Sequence, residues 1–372
     1  MADETSDHSN RTMRHRLWRP AFAFAAFISI LLAYGIYTRS FGRHLIVHGF
    51  WGLGNRPEHM AHDAEVRLNA SLQSPISISN FTAMGDRMAA FAELNEALVQ
   101  DRSLDRTTLA SALSHQFPWW KVDKARYAPW SPPAIAQTGL VACVGSNNFL
   151  VAAHLVRILR NVLNSTLPIE IFYAGENDLS GPRQSDLKAL DANLETVDLL
   201  EYFDDSGAGL QTGGYAMKPF AALTSRFEKV ILVDADVIFL QRPDGIFEEH
   251  PALKDTGTLF WHDRAYTDPG DFSRRDWVKG LLDGRQPSAL LNQSIFWQED
   301  LWQEMDSGVV CIDKTKSTAF MGLVFATWMN SKEIREEIVY KAVLGRSSYC
   351  LSGLLLLPSA ATEILKLCLR RR

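Results

Sequence analysis

The stretch that most limits what this chain can fold into is residues 229–248, KVILVDADVIFLQRPDGIFE. Ile231, Leu232 and Val233 form a short apolar run that suits a strand buried on both faces of a sheet. The run ends in Asp234-Ala235-Asp236, and a second apolar trio follows at residues 237–239. Two carboxylates one residue apart at the end of a buried strand are expensive to bury unless something neutralises them. A divalent cation shared with a diphosphate does so, because Mg²⁺ and Mn²⁺ prefer oxygen ligands and are held jointly by carboxylates and phosphates. A pair of solvated loop aspartates is the bland alternative, and apolar runs on both sides argue against it. An aspartyl-phosphate phosphatase also uses a hydrophobic Asp-x-Asp, with one aspartate as nucleophile and the other as acid. That chemistry opens its domain with the motif strand, whereas strand-like segments here come well before it.

The 372 residues, 47% of them hydrophobic, suffice for one large domain or two modest ones. A net charge of −5 is no polyelectrolyte signature, and no basic face for nucleic acid is visible. Cys143, Cys311, Cys350 and Cys368 are scattered without C-x-x-C spacing, which argues against zinc and leaves pairing open.

Residues 1–19 are polar and end in Arg11, Arg14, Arg16 and Arg19. Residues 20–37, PAFAFAAFISILLAYGIY, carry no charge; as a helix they span ~27 Å, enough for a thin bilayer. Trp18, Tyr34 and Tyr37 stand where interfacial aromatics belong. No small-residue cleavage site closes the segment, unlike a signal peptide. Four arginines precede it and only Arg39 and Arg43 closely follow, so the positive-inside rule sends the rest into a lumen. The segment reads as a transmembrane signal anchor. In a lumen, Asn69, Asn80, Asn164 and Asn292 are N-glycosylation acceptors in principle, while Asn10 stays cytosolic and unused. Residues 38–83 show little periodicity and read as a stem. Residues 84–133 turn helical, with Met88, Phe91, Leu94 and Leu98, then Leu109, Leu113 and Phe117. They read as a small helical subdomain closed by a rigid connector at Trp130, Pro132 and Pro133.

The main domain occupies residues 134–345. Residues 140–144 read as a buried strand ending at the loop Gly145-Ser146-Asn147-Asn148. A helix follows with Phe149, Ala152, Val156, Leu159 and Leu163 on one face, then a strand at 169–173 and the turn Gly175-Glu176-Asn177-Asp178. Strand, helix, strand is a βαβ unit, so the expectation is an α/β domain with a mostly parallel sheet and helices on both faces. Ligands bind outside the carboxyl ends of such strands, which puts the Gly145 loop and Asp234-Ala235-Asp236 on one edge. Gly213-Gly214 allows close backbone approach to a ligand, and Lys218 can reach a phosphate as a point charge. Residues 258–261 form another strand before His262-Asp263-Arg264. Asp306-Ser307-Gly308 enters a further strand at 309–313, as the floor of a sugar pocket or as a plain turn.

Taken in order, these segments resemble the fungal α-1,3-mannosyltransferases of the Golgi, type II membrane enzymes with an A-type, Rossmann-like nucleotide-sugar transferase fold. The resemblance covers residues 139–345 and rests on LPIEIFY at 167–173, GGYAMKPFAAL at 213–223, the Asp-x-Asp block with Pro243 and Phe247, TGTLFWHDR at 256–264 and DSGVVCIDK at 306–314. It implies GDP-mannose as donor, Mn²⁺ as metal, a glycan on a glycoprotein as acceptor and retention of anomeric configuration. It also allows assembly with other Golgi transferases. By the same resemblance Asp236 and Asp234 hold the metal, with Gly145, Lys218 and Asp234 on the nucleotide sugar. Asp306 is the carboxylate near the reacting sugar, and Trp261, His262, Arg264 and Ser307 shape the sugar or acceptor pocket.

The chain departs from the family after Gly345, where an Asp-Lys-Glu cluster is expected and Arg346-Ser347-Ser348-Tyr349-Cys350 stands instead. A late histidine ligand and parts of the acceptor pocket have no counterpart in residues 346–372. The expectation is a catalytic domain altered or incomplete in that region and weakly active or inactive, the alternative being a transferase-like partner protein that binds nucleotide without turnover.

Overall fold

The structure, a computed structural model, describes residues 57–101, 103–131, 137–262, 273–282, 284–287, 289–293, 295–298 and 305–343. The segment at 20–37 read as an anchor, Arg264 and residues 346–372 lie outside these. Among the described residues no helix is long and apolar enough to cross a membrane. The chain divides into two units, Met1–His59 and Met60–Arg372, and the architecture below is that of the second.

Three helices come first: α1 Pro57–Leu72, α2 Phe81–Gln100 and α3 Thr107–Gln116. Strands and helices then alternate as β1 Thr138–Cys143, α4 Phe149–Arg157, β2 Ile169–Tyr173, α5 Gly181–Lys188, β3 Leu194–Asp198, α6 Met217–Thr224 and β4 Lys229–Val233. After these come α7 Pro251–Thr256, β5 Thr258–His262, α8 Ser273–Leu282, β6 Met305–Asp313 and α9 Ser317–Met329, with shorter helical turns between. The strands make one six-stranded sheet in the order β3-β2-β1-β4-β6-β5. Its first four strands are parallel, as the βαβ reading requires. β6 then enters antiparallel to β4, and β5 antiparallel to β6.

Alternation along each strand feeds two cores, because successive side chains point to opposite faces. Val230 and Leu232 of β4 join Val141, Phe172 and Val310 in a core shared with α2, α6 and α9. Ile231 and Val233 join Leu140, Ile171 and Cys311 against α4, α5 and α7. The helical subdomain does not stand apart: α2 packs along α9, and Phe81 meets Trp277 and Trp328 edge-on at 5.9 and 5.2 Å between ring centroids.

The stem reading of residues 38–83 is corrected over α1. Ala61, Ala64 and Leu68 are buried at helical spacing. Two of the three are alanines, too small to register as an apolar stripe in the sequence.

The amino edge of the sheet holds a buried polar network. Glu170 is fully buried and is answered by Arg126 at 3.0 Å, Arg226 at 3.2 Å and the Ser225 hydroxyl, which donates at 2.6 Å. Lys314, the residue after β6, turns inward here. Its ammonium donates to the carbonyls of Ser225 at 2.6 Å, Ala222 at 3.1 Å and Leu223 at 3.5 Å, and stands 4.5 Å from the Tyr127 ring centroid. These are carbonyls at the end of α6 that no helical N–H can reach.

Burial pushes the Lys314 ammonium down to about 7, with Glu170 and Glu228 opposing and Arg126 reinforcing. The unfolded chain, with lysine near 10.5, holds the extra proton between those values, so this residue's contribution to stability rises with pH over that interval and is flat below it. Lys314→Met is expected to remove that slope and to cost roughly 2–4 kcal/mol by stranding buried carbonyls. Urea unfolding of both proteins at neutral and at alkaline pH reads both effects, and unchanged midpoints would refute the assignment.

Candidate active site

The carboxyl ends of β1, β2 and β4 open on one edge of the sheet, and both the Gly145 loop and Asp234-Ala235-Asp236 lie there, as the sequence places them. β4 is buried to its last residue, and the chain turns at Asp234. The Asp234 N–H donates to the Gly308 carbonyl at 2.8 Å, and its own carbonyl accepts from the Val237 N–H at 3.2 Å. The motif is thereby tied to β6.

Lys218, on the first turn of α6, is 4% exposed. Its ammonium pairs with Asp234 Oδ1 and donates to the Ser307 carbonyl at 3.2 Å and to Ser307 Oγ at 3.3 Å. Burial holds the Asp234 carboxyl above the usual carboxylate range; Lys218 pulls it back, and the charges of Asp236 and Asp306 push it up again. Two further carboxylates therefore press on Asp234 beside its buried ammonium partner. Asp236 is exposed. Asp306 is exposed as well, and its Oδ1 accepts the Gly308 N–H at 2.6 Å. Asp306 and Ser307 belong to β6 itself rather than to a turn before it.

A bulge between Phe260 and Trp261 sets Trp261 opposite Asp306, the kind of irregularity that re-aims a side chain. Trp261 is 39% exposed. The structure thus brings together Asp234, Asp236, Lys218, Asp306, Ser307 and Trp261. The His262 backbone closes β5 opposite Met305, and Arg264 lies outside the described residues.

Two glycines have a reason within the fold itself. At Gly145 a Cβ would stand 2.3 Å from Asp178 Oδ1, so the missing side chain makes room for a carboxylate of this chain. Asp178 Oδ2 accepts the Ala174 N–H at 3.0 Å, and burial raises the group's pKa against that hydrogen bond. In sequence Asp178 reads only as the end of a turn. Gly214 has φ of +52° and open space around a notional Cβ, so its missing side chain serves the left-handed turn into α6. The earlier left-handed turn at Gly209, with φ of +63°, is held by Arg335, which donates to the Ala208 carbonyl at 3.3 Å and the Gly209 carbonyl at 3.1 Å.

Of the apolar trio after the motif, Val237 and Phe239 are half-buried, with Phe239 against the core, while Ile238 is 67% exposed; Leu240 just beyond is 93% exposed. This segment lines a groove of about 660 Å³ together with Arg242, His250, Trp261 and Asp306. Half-buried Cys143, at the end of β1, has its thiol pushed up to about 12 by desolvation despite Lys218, which disfavours the reactive thiolate.

Among the described residues no three histidine, cysteine, aspartate or glutamate side chains converge as a metal cage. The donors at this edge are carboxylate oxygens, those of exposed Asp236 and the Asp234 oxygen not taken by Lys218. Such a set fits a hard divalent cation that completes its shell with phosphate and water, and not zinc.

Lys218→Met is expected to cost roughly 1–3 kcal/mol, because it leaves the Asp234 carboxylate without its partner in a partly buried place. Lys218→Met combined with Asp234→Asn should recover part of that loss. Thermal or urea unfolding of the double-mutant cycle checks this, and additive effects would mean that the pair is not coupled.

Comparison with known proteins follows this geometry. Residues 137–348 match the model of the family described as "Mannosyltransferase putative", more than half of the 372 residues. The chain is 28% identical over 185 residues to "Putative alpha-1,3-mannosyltransferase MNN15" of Candida albicans, covering 40% of this chain and 24% of that protein. It is 26% identical over 224 residues to "Alpha-1,2-mannosyltransferase MNN2" of Saccharomyces cerevisiae, covering 52% of this chain and 36% of that protein. The aligned part therefore spans about a quarter to a third of these relatives. Among solved structures, galactosyltransferase LgtC in complex with donor and acceptor sugar analogs overlaps 59% of this chain and 69% of its own, with a TM-score of 0.36 at 15% identity. By the match of its sheet-forming region to the family model, the chain belongs to this mannosyltransferase family.

Proposed function

We propose that the chain is the catalytic part of a Golgi membrane α-mannosyltransferase that moves mannose from GDP-mannose to a glycan on a glycoprotein, with retention and α-1,3 linkage. The observation that carries the reading is the Lys218–Asp234–Ser307 cluster at the carboxyl edge, with Asp236 and Asp306 beside it, in a chain of the mannosyltransferase family. The relatives supply the sugar, since their names join mannose to both α-1,3 and α-1,2 linkages. The uncharged segment at 20–37 and its flanking arginines support the membrane placement.

Each residue's task follows from its surroundings. Asp236, with the second oxygen of Asp234, is the pair that would hold Mn²⁺. Bound there, the cation supplies Lewis-acid neutralisation of the charge that builds on the departing diphosphate. Lys218 adds a positive charge that stays put, because burial and Ser307 fix its ammonium. Asp306, anchored by the Gly308 N–H, is the carboxylate placed to steady an oxocarbenium-like sugar. Trp261 offers a ring face to a sugar in the groove beside Asp306.

Isothermal titration of GDP-mannose into the protein, with and without Mn²⁺, tests the donor site. Metal-dependent binding is expected, with at least a tenfold loss in Asp236→Ala, which at about 1.4 kcal/mol is what one lost charged ligand readily removes. Equal binding by Asp236→Ala, or none by a wild type whose circular dichroism shows a folded chain, would overturn the reading.

A further inference from the structure

We propose that Asn164 carries an N-linked oligosaccharide, a proposal that rests on the luminal placement given above. Four acceptor tripeptides follow the anchor segment, at Asn69, Asn80, Asn164 and Asn292, and the structure separates them. Asn80 caps α2, its Oδ1 accepting the Ala83 N–H at 2.9 Å, while Thr82 of the same tripeptide donates to the Leu281 carbonyl at 2.6 Å. Asn69 is exposed on the helical backbone of α1, and its Ser71 hydroxyl donates to the Leu68 carbonyl at 2.7 Å. The tripeptide of Asn292 ends in Ser294, which lies outside the described residues.

Asn164 differs from Asn80 in its unengaged amide and from Asn69 in its non-helical turn. It is exposed, and among the described residues it alone of the non-glycines has positive φ, at 53°. Its side chain makes no hydrogen bond among the described residues, because the turn is held by other groups. Arg160 donates to the Ser165 carbonyl at 2.9 Å and the Leu167 carbonyl at 2.7 Å, and is itself fixed by Asp191. The Ser165 N–H donates to the Leu159 carbonyl at 2.8 Å, and the Thr166 N–H and hydroxyl both donate to Asp244 Oδ1, at 3.1 and 3.4 Å. Asparagine suits a left-handed turn, which explains the backbone but uses nothing of the amide. That amide is free for a bulky, solvated substituent. The turn also precedes β2, on the amino edge, whereas Gly145 and Asp234 lie on the carboxyl edge. A glycan at Asn164 leaves the site open.

The donor is an oligosaccharide on a lipid diphosphate, acted on by the transferring enzyme of the secretory compartment. Asn164 Nδ2 attacks the anomeric carbon, a C–N bond forms as the C–O bond to the diphosphate breaks, the amide proton passes to a base of that enzyme, and the lipid diphosphate leaves.

The full chain, expressed in a eukaryotic secretory host with one acceptor tripeptide appended at its C-terminus as a control, is treated with peptide N-glycosidase and mapped by peptide mass spectrometry. Each used asparagine then reads as aspartate. Asn164 is expected to convert in most copies. Asn164→Gly, which keeps the left-handed turn, should lose one glycan by gel mobility with an unchanged melting temperature, and Thr166→Ser should keep the glycan. An unmodified Asn164 beside a modified control overturns the proposal alone. If neither is modified, the luminal placement fails and takes the proposal with it, whereas GDP-mannose binding, measured separately, is left standing.

Discussion

All eight residues of α6 are buried, and a helix so enclosed must have both ends satisfied from within the protein. Two ammonium groups hold it in place, and the second also satisfies carbonyls left open at its end. At its start Lys218 reaches out of the helix to Asp234 and Ser307. Beyond its end Lys314 reaches in from β6 to the Ala222, Leu223 and Ser225 carbonyls. Because Asp234 follows β4, while Ser307 and Lys314 lie at opposite ends of β6, the two lysines lock the helix against the centre of the sheet at both edges.

This arrangement bears on the chemistry at the carboxyl edge. A lysine on a free loop offers charge wherever its stem happens to point, whereas Lys218 is fixed before any ligand arrives. Preorganised charge costs no reorganisation when negative charge develops beside it. The same buried ammonium makes the first aspartate of the motif tolerable, and it leaves the second, Asp236, exposed and turned to other partners. The two aspartates look alike in sequence and are unlike in place.

Much of this was legible in the residues. The strand at Ile169–Tyr173 falls where its apolar run puts it, and β4 ends at the aspartate pair. Buried runs between turn signals are a local property and survive tertiary packing. The site was legible by type: carboxylates, a lysine and an aromatic converge from segments far apart in the chain. What the sequence hid depends on distance. That Lys218 meets Asp234, that Asp178 occupies the space left by Gly145, and that Lys314 caps a helix far upstream are contacts between remote segments with no periodic trace. Ile238 misled because composition alone does not say which side of a turn faces water. α1 was missed because alanine makes a quiet stripe.

The place of β6 bears on how the molecule is made. It lies between β4 and β5, although both precede it in the chain. While the protein is being synthesised, the inner hydrogen-bonding edge of β4 stays bare until the chain has passed residue 313. An unpaired apolar strand edge invites mispairing. The strand that leads into the charged motif is therefore one whose second neighbour is the last strand to be made, so the sheet closes late, and the hazards of assembly and the chemistry of the finished site meet at the same few residues.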